Sequence, residues 1–105
     1  MPAVHKRAGA KRDLIAHYVY LAEEADIETA ERFLRSANES FEDLSKYAGM
    51  GPELSTRSPA LAKLRKLRVG GFESFLIFYL PKGSSVSIVR VLHATQDWWA
   101  LFGIL

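Results

Sequence analysis

The chain has 105 residues, 49% apolar and 25% charged, which excludes a two-domain, fibrous or disordered protein and predicts one packed domain over residues 1–105. It contains no cysteine, so disulfide scaffolds, thiolate zinc sites and a thiol nucleophile are excluded, and a reducing compartment, the cytoplasm, is the expectation. The formal net charge of +2 hides a division: residues 1–54 carry −3 and residues 55–105 carry +5, which directs attention to partners of the basic half.

The N-terminal "MPAVHKRAGAKRDL" has no apolar stretch of signal-peptide length, and no window approaches the roughly 20 apolar residues of a membrane span. "AVHK", residues 3–6, fits a short edge strand covering an otherwise open sheet. From Lys11, the apolar residues Leu14, Ile15, Tyr18, Val19, Leu21 and Ala22 lie along one side of a helix of about four turns. Asp26 is a suitable N-cap for a second helix, in which Ile27, Ala30, Leu34, Ala37, Phe41 and Leu44 recur at spacings of three and four. Only a tight turn fits between the two stripes, so the helices are expected to form an antiparallel hairpin rather than a coiled-coil seam for self-association. Glu28, Glu31, Arg32, Arg35, Glu39 and Glu42 then face water.

"AGMGPEL", residues 48–54, stops the second helix, and an irregular loop follows. A strand is expected from about Leu64, then a Gly70-Gly71 turn, then "FESFLIFYL", a turn from Pro81 to Ser84, and "SVSIVRVLH". The "FLIFY" run is apolar on both faces, which requires cover on both sides of the sheet. The helix hairpin supplies one cover; the tail "DWWALFGIL" or a partner supplies the other. The fold class is therefore α+β: an N-terminal antiparallel helix hairpin packed on a small, mainly antiparallel sheet of three to four strands.

Arg57, Lys63, Arg65, Lys66 and Arg68 follow one another with no acid between them. Such a run either grips phosphates or an acidic partner, or is a solvated strand face, and strand alternation puts Arg65 on the side opposite Lys66 and Arg68. His5 and His17 read as surface or helix-face residues. No metal-ligand spacing, Gly-rich phosphate loop or nucleophile elbow occurs, so no cofactor and no metal are expected. His93 and Asp97 invite a dyad, but their spacing across a strand end fixes no geometry. The simpler expectation is that Asp97 caps the next turn or pairs with Arg90. Trp98 and Trp99, being adjacent, cannot both face the core, so one is expected inside and one exposed as a binding anchor.

"AKRDL" at residues 10–14, Tyr18, "A-x-x-F" at residues 30–33, "LRVGGFESFLIFY" at residues 67–79 and "VSIVRVLHATQD" at residues 86–97 together resemble the RelE/ParE superfamily of toxins from type II toxin–antitoxin pairs. The resemblance implies growth inhibition and neutralisation by a cognate antitoxin, with no small-molecule cofactor and no membrane. Its ParE-like branch implies a non-catalytic inhibitor of DNA gyrase. Its RelE-like branch implies a ribosome-dependent nuclease that cuts messenger RNA. Leu76, Gln96 and Phe102 stand where nuclease members carry Arg, a basic residue and Tyr, which moves the chain toward the ParE side. Metal-free RNA cleavage needs a base, a cation and an acid, for which the sequence offers Lys66, Arg68 and His93. An inactive, antitoxin-binding module is the third reading. The residues expected to contact a target or antitoxin are Arg57, Arg65, Lys66, Arg68, Arg90, Gln96, Trp98 and Trp99.

Overall fold

A computed structural model describes residues 3–104. The chain runs β1 (Ala3–Lys6), α1 (Ala8–Glu24), α2 (Ile27–Lys46), a 3-10 turn (Pro59–Leu61), β2 (Arg65–Val69), β3 (Phe72–Lys82), β4 (Ser85–His93) and α3 (Trp98–Phe102). The sheet order is β1-β4-β3-β2. The last three strands are antiparallel, and β1 joins β4 in parallel, with Val4 opposite Val86 and Lys6 opposite Ile88. The expected edge strand, helix hairpin and mainly antiparallel sheet are all present.

Local chemistry sets the boundaries. The Asp26 carboxylate accepts from the Thr29 amide at 2.7 Å, which starts α2 by satisfying one of the amides that a helix leaves unpaired at its first turn. Hydrogen bonding from the Thr29 side chain, together with that from its amide, holds the Asp26 carboxyl below its ordinary value. Gly71, with φ +77°, closes the β2–β3 turn. The turn expected from Pro81 is displaced: β3 runs on through Lys82 and turns at Gly83, with φ +58°. Pro81 is tolerated in the strand because β2 pairs only as far as Tyr79, so the missing N–H of Pro81 faces no ladder partner.

Two cores lie on opposite faces of the sheet. Between hairpin and sheet are Ala10, Leu14, Phe33, Ala37, Phe41, Leu44, Phe75, Ile77, Tyr79, Ile88 and Val91. On the other face, Leu64, Leu76, Phe78, Leu80, Val89, Leu92 and Phe102 are buried, with Trp98, Leu54, Leu61 and Ile104 packed against them. The tail is thus the second cover that the doubly apolar β3 requires. Each large apolar side chain fully buried there contributes roughly 1.5–3 kcal/mol. That gain is what holds a five-residue helix that would be too short to persist alone.

The helix stripes fare unequally. In α2, Ala30, Ala37, Phe41 and Leu44 are buried as expected, while Ile27 at the first turn is exposed. In α1 only Ala10 and Leu14 are buried, and Ile15 and Val19 are 66% and 47% exposed. α1 is apolar round much of its circumference, so spacing alone could not choose the face that the sheet would cover.

Candidate partner-binding surface

Strand alternation distributes the basic run. Lys66 and Arg68 lie opposite Phe78 and Leu76, whose side chains belong to the α3-side core. Arg65 and Leu67 lie opposite Tyr79 and Ile77 on the hairpin side. Arg65 is consumed there: it donates to the carbonyls of Gly49 and Gly51 and pairs with Glu53 at 3.6 Å. Loop and strand are locked together at this point, because Lys66 N–H donates to the Pro52 carbonyl and Leu54 N–H to that of Leu64. Arg65 therefore anchors the loop.

Of the other expected contact residues, Arg57, Lys66, Arg90, Gln96, Trp98 and Trp99 lie on or around α3. The Lys66 Nζ sits 4.7 Å from the centroid of the Trp98 ring, a cation–π arrangement that fixes both groups. Trp98 is half-buried and packs on Phe78 with ring centroids 5.5 Å apart, while Trp99 stacks edge-on to Trp98 and is 51% exposed. The tryptophans thus divide as expected, Trp98 inward and Trp99 outward. Beside Trp99, Leu101 is 55% exposed. Arg57 and Arg68 are exposed, and the Arg57 amide donates to the Gly103 carbonyl, tying the loop to the end of α3. Arg90, Leu92, Gln96, Asp97, Trp98 and Leu101 line a cleft of about 220 Å³.

Arg90 and Asp97 depart from expectation. Between Phe78 and Tyr79 the β3–β4 register shifts, leaving Val89 as an extra residue in β4. Arg90 reaches α1 and forms a two-point pair with Asp13, at 2.6 and 2.8 Å. Those hydrogen bonds raise its pKa further above the ordinary arginine value. Asp97 occupies the N-cap position of α3 but makes no side-chain cap bond, and Arg90 is already paired with Asp13. Nor do His93 and Asp97 form a dyad: the His93 Nδ1 is bonded to Thr95, with the Oγ1 at 2.7 Å and the donating amide at 3.2 Å. Gln96 braces the same turn, its Oε1 accepting from the His93 amide at 2.7 Å.

The sheet divides the candidate nuclease set. His93 lies opposite Phe75 and its ring packs on Phe75, on the hairpin side, whereas Lys66 and Arg68 are on the α3 side. Leu76 and Phe102, at two positions where a nuclease needs Arg and Tyr, are both core residues, and Phe102 stacks on Phe78 at 4.6 Å. Among the described residues no group of three or more His, Asp or Glu is placed to hold a metal ion, and no helix is long and apolar enough to cross a membrane. His17 is the residue that sequence reasoning undervalued. Far from being a plain surface residue, it is half-buried, bonds the Val91 carbonyl through Nε2 at 2.7 Å and packs on Phe75 and Phe33. An isolated histidine on a helix carries no signal of the strand it will meet.

No curated protein matches the chain in sequence. Among solved structures it is similar to a chain of the chromosomal ParDE toxin–antitoxin system from P. aeruginosa, with 22% identity and a TM-score of 0.70, covering 89% of this chain and 96% of that one. That likeness establishes the shared fold. A family model, the ParE toxin of the type II toxin–antitoxin system parDE, matches residues 4–98, and with nearly the whole chain matched this protein belongs to the ParE toxin family.

Proposed function

We propose that this protein is a cytoplasmic toxin, a single domain that inhibits growth by binding DNA gyrase through the α3 face and that a cognate antitoxin neutralises by direct contact. The observation that carries the reading is the pair Trp99 and Leu101, exposed on α3, with Lys66 over the neighbouring Trp98 ring and the exposed Arg57 bonded through its amide to Gly103. Exposed aromatic and apolar anchors rimmed by cations are the anatomy of a protein-binding surface. An acidic antitoxin segment is the matching partner for Arg57, Lys66 and Arg68, since opposite charge speeds encounter and sets register. Activity here comes from binding, with no cofactor and no bond broken.

The ribosome-dependent nuclease alternative lacks a convergent site, because Lys66 and Arg68 are separated from His93 by the sheet. Acid–base cleavage needs its groups within hydrogen-bond reach of one scissile phosphate. Inducing the protein in cells while following DNA supercoiling and messenger RNA together tests the reading. The expected result is DNA damage signalling with intact messages; codon-phased cleavage of messages contradicts it, and normal growth would leave an inactive antitoxin-binding module.

A further inference from the structure

A second cleft opens on the opposite side of the sheet from α3. It holds about 390 Å³ and is lined by Ala16, His17 and Tyr20 of α1, Phe75 of β3, His93 of β4, and Thr95 and Gln96 of the turn after it. Its size is within the range of small-ligand sites. No charged side chain lines it.

The hydrogen bonds fix which nitrogens it presents. The Val91 carbonyl can only accept, so the Nε2 of His17 carries a proton, and in the neutral form of the ring Nδ1 is left as the acceptor. The Thr95 amide can only donate, so the Nδ1 of His93 is bare, and its Nε2–H is the donor left over. Neither left-over nitrogen has a partner among the described residues, and no buried side-chain nitrogen is unpaired, so both are open to solvent. Gln96 uses its Oε1 on the His93 amide, which leaves the two N–H donors of its carboxamide. The rings of His17 and His93 stand edge-on to Phe75, with centroids 4.9 and 5.1 Å away, and Tyr20 is 57% exposed at the rim.

The geometry points to a binding site for an uncharged nucleobase in this cleft. A base supplies what the lining asks for: a flat ring for the exposed Tyr20 at the rim, and donor and acceptor groups on one edge for Gln96 and the two histidines. A carboxamide satisfies the polar groups but leaves the aromatic surface uncovered; a phenol covers the surface but cannot use the amide donors of Gln96 and the acceptor of His17 together. With no cation in the lining, any phosphate stays outside, so the base arrives as a nucleoside or as an unpaired base of a single strand.

Titrating isotope-labelled protein with adenosine, cytidine and a short single-stranded oligonucleotide, and reading the histidine ring nitrogens by NMR, tests this. The expected result is a saturable, millimolar-range shift of His17 Nδ1 and His93 Nε2 with a base-bearing probe. Trp99→Ala leaves it unchanged. Tyr20→Ala abolishes it, and Gln96→Glu, which keeps the acceptor for the His93 amide but removes the donors, weakens it about tenfold or more. A shift with the oligonucleotide alone assigns the site to a base held in a strand; a shift with nucleosides of equal strength assigns it to the free base. No shift with any probe overturns the proposal, as does an equal shift with phenol or acetamide, or one unaltered by both Tyr20→Ala and Gln96→Glu. Tyr20 is exposed and makes no side-chain hydrogen bond among the described residues, so its variant keeps the fold.

Discussion

Asp13 joins the first helix to the last strand by gripping Arg90: its carboxylate accepts from Arg90 Nε and Nη2 and also from the Val91 amide at 3.0 Å. The Asp13 side chain is 12% exposed and that of Arg90 32%. Asp13→Ala strands a guanidinium and an amide at once. Charge-assisted hydrogen bonds are worth about 1.5–3 kcal/mol each, and the partial exposure of Arg90 discounts the sum, so a loss of about 2–3 kcal/mol in urea unfolding is expected. Arg90→Lys recovers only part of the stability, because an ammonium cannot make the planar two-point contact.

The Tyr79 hydroxyl closes the loop onto the sheet, donating to the Ala48 carbonyl at 2.8 Å and accepting from the Gly51 amide at 3.0 Å. Tyr79→Phe leaves both backbone groups unpaired, at an expected cost of roughly 1–3 kcal/mol. Burial pushes the phenol pKa above its ordinary value, with the Gly51 hydrogen bond opposing. The folded state therefore favours the neutral phenol. Its contribution is fully present below about pH 10, the unfolded value, and is lost as pH rises from there through the folded value. Equilibrium unfolding of both forms from pH 8 upward is expected to show an alkaline loss that is smaller in the phenylalanine variant.

Gly51 is pressed against β2. A Cβ there would lie 2.2 Å from the Lys66 carbonyl oxygen and 2.9 Å from its carbon, and neither backbone atom can move without opening the strand. Gly51→Ala is expected to destabilise by roughly 1–3 kcal/mol or more, the cost of overpacking a fixed site. Gly49, with open space around it, is the control: Gly49→Ala is expected to stay near the wild-type midpoint.

The two tryptophans separate stability from function. Trp98 packs on Phe78, so Trp98→Ala is expected to lower stability by roughly 2 kcal/mol, about half the cost for a fully buried ring. Trp99 is exposed, and Trp99→Ala is expected to stay within about 0.5 kcal/mol of wild type. On the proposed reading the same change weakens target inhibition about tenfold or more, as the loss of a central aromatic anchor does. Thermal unfolding and inhibition measured on the same samples check both halves; unimpaired inhibition by a folded Trp99→Ala protein would move the active surface elsewhere.

Patterns set by nearest neighbours were legible in the sequence. The Asp26 cap, the α2 stripe, the residues of β4 and the need for a cover beneath "FLIFY" all follow from periodicity and local chemistry. The α3-side grouping was legible too, since alternation alone separates Lys66 and Arg68 from Arg65. What could not be read were pairings made across the chain. Asp13 lies far from Arg90 in sequence, and the extra residue at Val89 that accompanies their contact leaves no mark in the apolar pattern of β4. Glu53 neutralises Arg65 only because the loop folds back on β2. His17 gained its role from a carbonyl of β4, and a backbone acceptor has no letter of its own.

Adding the purified protein to DNA gyrase, with relaxed plasmid and ATP, and following the return of supercoils tests the central claim most directly. Supercoiling blocked by the wild-type protein, restored by the cognate antitoxin and largely spared by Trp99→Ala is the expected result. Full supercoiling in the presence of the folded protein, together with cleavage of messenger RNA on added ribosomes, would contradict it.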